Sequence, residues 1–221
     1  MIAILDYGSG NLRSAQRAFA TTGHDVEITS DLDVALKADG LVVPGVGAFA
    51  ACMNGINEIN AAEVIRARNE AGKPTLGICI GMQILFSDGL EHGSHKGIGM
   101  WNGEVSQLDA PILPHMGWNT VEVTGASKLF KGVENESFYF VHSYAAKKSV
   151  GHSQAWTTHG EKFLSAVEDG ALCATQFHPE KSGKAGLTLI ANWSDGLGVI
   201  LNYCQPLMLK MVKPCVWCKA N

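Results

Sequence analysis

Cys79 has a glycine two residues to either side, in Gly77-Ile78-Cys79-Ile80-Gly81, at the end of an apolar run that starts at Pro74. A thiol on a sharp strand-to-helix turn stands clear of the chain, and the helix N-terminus favours the thiolate that attacks electrophilic carbon. Small neighbours let such a turn pack, and the N–H of the next residue, Ile80, can point at an oxyanion. A buried core cysteine is an equally good reading of those five residues, so a base has to decide. One lies 99 residues later in QFHPEKS, where His178 and Glu180 sit two apart. Pro179 biases His178 toward extended backbone, in which i and i+2 face the same way, so the carboxylate can orient the imidazole. Cys79, His178 and Glu180 then fill the roles of nucleophile, general base and orienting acid.

These residues need elements that bring them to one place. Short apolar runs alternate with amphipathic stretches through the first eighty residues, which predicts a parallel sheet with crossover helices, an α/β fold. IAIL (2–5), DVEI (25–28), LVV (41–43) and PTLGI (74–78) read as strands, with a helix capped by Asn11, another over 61–71, and a short one over 80–86. From 98 to 175 the texture changes to closely spaced strands, NTVEV (119–123), SFYFVH (137–142), SQAWTT (153–158), FLSAVE (163–168) and LCATQF (172–177), expected to form mixed or antiparallel pairs. A last helix is expected over about 183–193. The loop PGVGAF (44–49) puts two glycines at a strand's C-terminal edge, where open α/β sheets bind ligands.

Composition narrows the partners. The 221 residues carry 17 Lys+Arg against 21 Asp+Glu, a formal net charge of -4, so nucleic acid has no basic surface to bind. The apolar stretch 197–212 is interrupted by Asn202, Gln205, Pro206 and Lys210, short of the ~18 residues of a membrane span. No leader pattern precedes the first strand, so a cytoplasmic location is expected, and the six cysteines (52, 79, 173, 204, 215, 218) are expected to be free thiols. The other seven histidines show no compact spacing with cysteines, and Cys215 and Cys218 lack a second pair, so neither a metal site nor any cofactor is expected.

PGVG at 44–47, GICIGMQ at 77–83, PHMGWN at 114–119, YFVHSY at 139–144 and ATQFHPEKSGKAG at 174–186 together resemble the class I glutamine amidotransferases. More narrowly they resemble the amidotransferase subunits of imidazole glycerol phosphate synthases. The resemblance implies an open, mostly parallel sheet flanked by helices with added antiparallel strands. It implies hydrolysis of glutamine to glutamate and ammonia by Cys79, His178 and Glu180, with an oxyanion hole at Val46, Gly47 and Ile80. Substrate contacts carry over to Gln83, Glu91, Ser143 and Tyr144. The implied partner is a (β/α)-barrel cyclase that receives the ammonia, touched by Lys181, Trp118 and Tyr139. Another class I amidotransferase or cysteine hydrolase of the same fold, or a non-catalytic regulatory subunit, are the alternatives. Ile80 stands where the family usually has Leu, and the resemblance ends near Trp193. Residues 1–193 are thus expected to be the amidotransferase domain and 194–221 a C-terminal extension dispensable for chemistry.

Overall fold

A computed structural model describes residues 1–197. The first half is a run of βα units: β1 (Ile2–Leu5), α1 (Leu12–Ala20), β2 (Val26–Thr29), α2 (Leu32–Lys37), β3 (Gly40–Gly45), α3 (Phe49–Glu58), α4 (Ala61–Glu70), β4 (Thr75–Cys79) and α5 (Ile80–Gln83). The second half is mostly strand: β5 (Phe86–Gly89), β6 (His95–Lys96), β7 (Trp101–Gln107), β8 (His115–Thr120), β9 (Glu122–Thr124), β10 (Ser137–His142), β11 (Tyr144–Ala146), β12 (Ser153–His159), β13 (Glu161–Asp169) and β14 (Leu172–Thr175). A single 3₁₀ turn (Pro179–Lys181) leads into α6 (Gly183–Ser194). Residues 194–197 close that helix, and the rest of the expected extension, 198–221, lies outside the described residues.

The main sheet has eight strands in the order β2-β1-β3-β4-β14-β13-β12-β9. Pairing is parallel from β2 through β14 and antiparallel from β14 to β9, so β14 is where the two halves join. A four-stranded sheet, β11-β7-β5-β6, and the β8–β10 ribbon complete the strands. The expected α/β class is what forms. NTVEV, however, is not one strand: the chain breaks at Val121, β8 pairing with β10 and β9 with β12. The expected helix over 80–86 stops at Gln83, because Phe86 pairs with Trp101 as a strand.

Local chemistry explains the helices. Asn11 Oδ1 accepts from Ser14 N at 3.3 Å, capping α1, whose buried Ala15, Ala18 and Phe19 recur at i, i+3 and i+4. Burying Phe19 fully contributes about 2–3 kcal/mol, and its ring meets Trp193 of α6 edge-on at 5.6 Å. Arg68 of α4 is completely buried, yet its guanidinium donates to the carbonyls of Ala35, Leu36, Ala38, Asp39 and Pro74. Burial lowers its pKa to about 10, which leaves it charged at neutral pH. One cation thereby satisfies the end of α2 and the entries to β3 and β4.

Candidate active site

The C-terminal ends of β3, β4 and β14 meet at one edge of the sheet, and the candidate residues gather there. Cys79 closes β4 with φ 57° and ψ -113°, a backbone conformation costly for a residue with a side chain, and α5 begins at the next residue. Glycines make the turn feasible. A Cβ at Gly81 would overlap the Val43 carbonyl, one at Gly77 would lie 2.7 Å from Gly81 O, and one at Gly45 2.6 Å from Gly81 N. The end of β3 and the start of α5 are therefore in backbone contact, and only glycine fits between them.

The candidate base follows the adjacent strand. Thr175 of β14 is in register with Ile78 of β4, which brings His178 over the elbow. Phe177 anchors the segment by stacking on Phe138 at 4.4 Å, and His178 N donates to Tyr139 O at 2.9 Å. His178 Nδ1 and Glu180 Oε1 are 2.8 Å apart, with the two side chains 3% and 4% exposed. The His178 Nε2 has no hydrogen-bond partner. Burial disfavours the charged ring, but Cys79 and Glu180 facing it outweigh that and raise its pKa to about 9. A ring that basic holds a proton at neutral pH, and the facing Cys79 thiol is a group that can supply it.

A cavity of about 510 Å³ opens beside Cys79. Ten of the thirteen residues singled out in the sequence line it: Val46, Gly47, Cys79, Ile80, Gln83, Glu91, Ser143, Tyr144, His178 and Lys181. Glu180 stands behind His178. Trp118 and Tyr139 lie on the β8–β10 ribbon, rings 6.2 Å apart, with Trp118 58% exposed. Ile80, as the first residue of its helix, has no intrahelical acceptor for its N–H. Val46 is placed differently: its N–H donates to Ser9 Oγ at 3.1 Å, and its carbonyl accepts from the same hydroxyl at 2.8 Å. Glu91 is also partly committed, its Oε2 accepting from Phe49 N at 2.7 Å at the start of α3.

Sequence reasoning passed over Ser9 and Gln176. Gln176 is fully buried and its Nε2 lies 3.8 Å from Cys79 Sγ, in donor geometry. Counting two residues back from the extended His178 would have flagged Gln176, whereas Glu180 reaches His178 through the 3₁₀ turn Pro179–Lys181 and not through the extended backbone expected there. Nothing local could have flagged Ser9, which meets Val46 across 37 residues. Among the described residues no cluster of three or more His, Cys, Asp or Glu is arranged to hold a metal, and no helix is long and apolar enough to cross a membrane.

Comparison with known proteins places this geometry. Residues 3–194 match the family model "Glutamine amidotransferase class-I". The chain is 57% identical over 201 residues to the imidazole glycerol phosphate synthase subunit HisH of Mycobacterium bovis, covering 89% of this chain and 98% of that protein. It is 54% identical over 206 residues to the HisH subunit of Nocardia farcinica, with the same coverage. A crystal structure of a glutamine amidotransferase shares the fold with a TM-score of 0.69 at 17% identity, over 88% of this chain and 97% of that one. With nearly all of the described chain inside the family match and more than half of its residues shared with those relatives, it belongs to the class-I glutamine amidotransferases, in the HisH branch.

Proposed function

We propose that the chain is the glutaminase subunit of an imidazole glycerol phosphate synthase, with residues 1–193 as its catalytic domain. The observation that carries the reading is the His178 imidazole, bonded to Glu180 on one nitrogen and left without a partner on the other beside the Cys79 elbow. Cys79 Sγ, having passed its proton to His178, attacks the side-chain amide carbon of glutamine. Negative charge collects on the amide oxygen, opposite the Ile80 N–H and Gly47, the Val46 N–H being bonded to Ser9. Collapse of the tetrahedral intermediate breaks the C–N bond, and His178 returns the proton to the departing ammonia. Water, deprotonated by the same imidazole, then opens the thioester and releases glutamate. Glu180 holds the ring and stabilises its charged form.

Ammonia released into bulk water is protonated and lost, so its production belongs with an acceptor. Ile112, Met116 and Trp118 are 71%, 63% and 58% exposed, an apolar surface beside Pro114 and Lys181 on the cavity rim. Such a surface on one side of an active site supports a docked partner, here a (β/α)-barrel cyclase that forms imidazole glycerol phosphate and an aminoimidazole carboxamide ribonucleotide. The test is glutamate release with and without the cyclase and its ribonucleotide substrate. Release should rise on addition of both; equal rates would refute the coupling.

A further inference from the structure

Gln176 has no part in the steps above, yet its buried side chain lies within hydrogen-bonding reach of the reacting sulfur. Its amide could sit either way round, with opposite consequences. With the NH₂ toward the sulfur it stabilises a thiolate, whereas with the oxygen there it repels one. The surroundings allow only the first. Gln176 Oε1 accepts from Gln83 Nε2 at 3.0 Å, and the same Gln83 nitrogen donates to the Tyr144 carbonyl at 2.8 Å. A backbone carbonyl can only accept, so the Gln83 amide cannot turn over without setting its oxygen against two acceptors. Gln176 is then fixed in turn.

The Tyr144 carbonyl is itself held from the other side. His142 Nδ1 lies 3.0 Å from it and must carry the proton, which leaves Nε2 as acceptor for His115 Nδ1 at 3.1 Å. His115 Nε2 accepts from Asn119 Nδ2 at 3.2 Å, and the Asn119 amide is oriented by Thr120 N–H on its oxygen and the Thr158 carbonyl at its nitrogen. Each tautomer and each amide in this line follows from a backbone group at its ends.

We propose that Gln176 is a catalytic residue that donates a hydrogen bond to the Cys79 sulfur and favours its thiolate, with its amide orientation imposed by Gln83 and the Tyr144 carbonyl. The proposal rests on the reading of Cys79 as the nucleophile. N–H bonds to a charged acceptor are stronger than those to a neutral one, so the contact weighs on the thiolate more than on the thiol.

The titratable groups facing the thiol are His178 with Glu180 behind it, Tyr7 and Cys52 from the β1 and α3 side, and Glu91, His92 and Lys181 on the cavity wall. Substitutions at 176 leave all of these in place. The test measures the pH dependence of iodoacetamide alkylation at Cys79, located by mass spectrometry, in the full chain. It uses Gln176→Leu and Gln176→Glu, the latter keeping an acceptor for Gln83 while presenting a carboxylate to the sulfur. The alkylation midpoint should rise by about one pH unit in Gln176→Leu and further in Gln176→Glu. In the complex with the cyclase, kcat for glutamine should fall about tenfold or more with KM little changed. Unmoved midpoints in folded variants would overturn the proposal. Should the core reject both substitutions, the Gln176 side-chain NH₂ resonances of the unsubstituted chain should shift with the alkylation midpoint, and resonances blind to it would overturn the proposal equally. Full glutamine turnover by Cys79→Ala would remove the nucleophile reading itself, a failure distinct from unmoved midpoints with an inactive Cys79→Ala.

Discussion

Replacing His142 by Gln should change how the protein responds to acid, by an amount the structure sets. His142 and His115 are 6% and 4% exposed, and burial lowers their pKa values from 6.5 to about 3 and about 4. Both rings stay neutral in the folded chain while the unfolded chain protonates them below 6.5, so the unfolded state binds more protons and stability falls with pH. The contribution is fully present above pH 6.5 and is lost as pH falls from there toward the folded values. At pH 5 an unfolded-state pKa of 6.5 corresponds to about 2 kcal/mol per ring, or about 4 kcal/mol for the pair. His178 acts in the opposite sense: its pKa is raised to about 9, so its contribution is complete below pH 6.5 and is lost as pH rises through 9. A difference between two proteins separates the effects. In urea titrations at pH 8, His142→Gln should be less stable than the unsubstituted chain by about 1–3 kcal/mol, from the broken bonds to His115 and Tyr144. At pH 5 that gap should narrow by about 2 kcal/mol, because one acid-sensitive ring is gone. A gap of constant size across this range, with unchanged m-values, would refute the assignment of buried neutral histidines.

Cys79→Ala in the assembled complex should abolish glutamine-dependent turnover while sparing the cyclase reaction with ammonium salts, checked by product formation from each nitrogen source. Glu180→Gln should lower kcat about a hundredfold less than His178→Ala does, since it orients the ring and does not carry the proton; steady-state kinetics of the two variants decide. Gly81→Ala drives a methyl into the Val43 carbonyl and should cost about 3 kcal/mol, a fall in Tm of about 6–12 °C by calorimetry, and most of the activity.

The elbow turn and the pairing of His178 with Glu180 were legible because each depends on neighbours in sequence: glycines around Cys79, and a proline that keeps His178 extended ahead of the turn carrying Glu180. The central parallel strands were legible because burial on both faces keeps them mostly apolar, as in β1 and in β4, where Thr75 is the one polar side chain besides the Cys79 thiol. Helices α2 and α3 were missed, α2 having six residues and α3 being interrupted by Asn54 and Gly55. Strands β5, β6 and β11 escaped because two to four residues carry too little alternation to register. The amide of Gln176 lay beyond any local reading, since its orientation is dictated by Gln83, 93 positions away, and through it by Tyr144.

The register of β14 on β4 has a bearing on how the chain is made. Ile78 and Thr175 are partners 97 positions apart, whereas Leu5 and Thr29 in the β1–β2 pair are separated by 24. Two doublings of loop length add about 1.2 kcal/mol of closure entropy. On the ribosome the wait is more consequential than the entropy. At about 5–20 residues per second, Cys79 is synthesised about 5–20 s before His178. Through that interval the nascent chain holds a cysteine with no base, and so has no hydrolytic activity to waste glutamine. It also holds β4 as an open edge, buried along its whole length in the finished fold and mostly apolar, the kind of edge that recruits strands from other chains. The strand that completes the catalytic group is the same one that caps this edge, so a chain released before β14 is both inert and prone to aggregate.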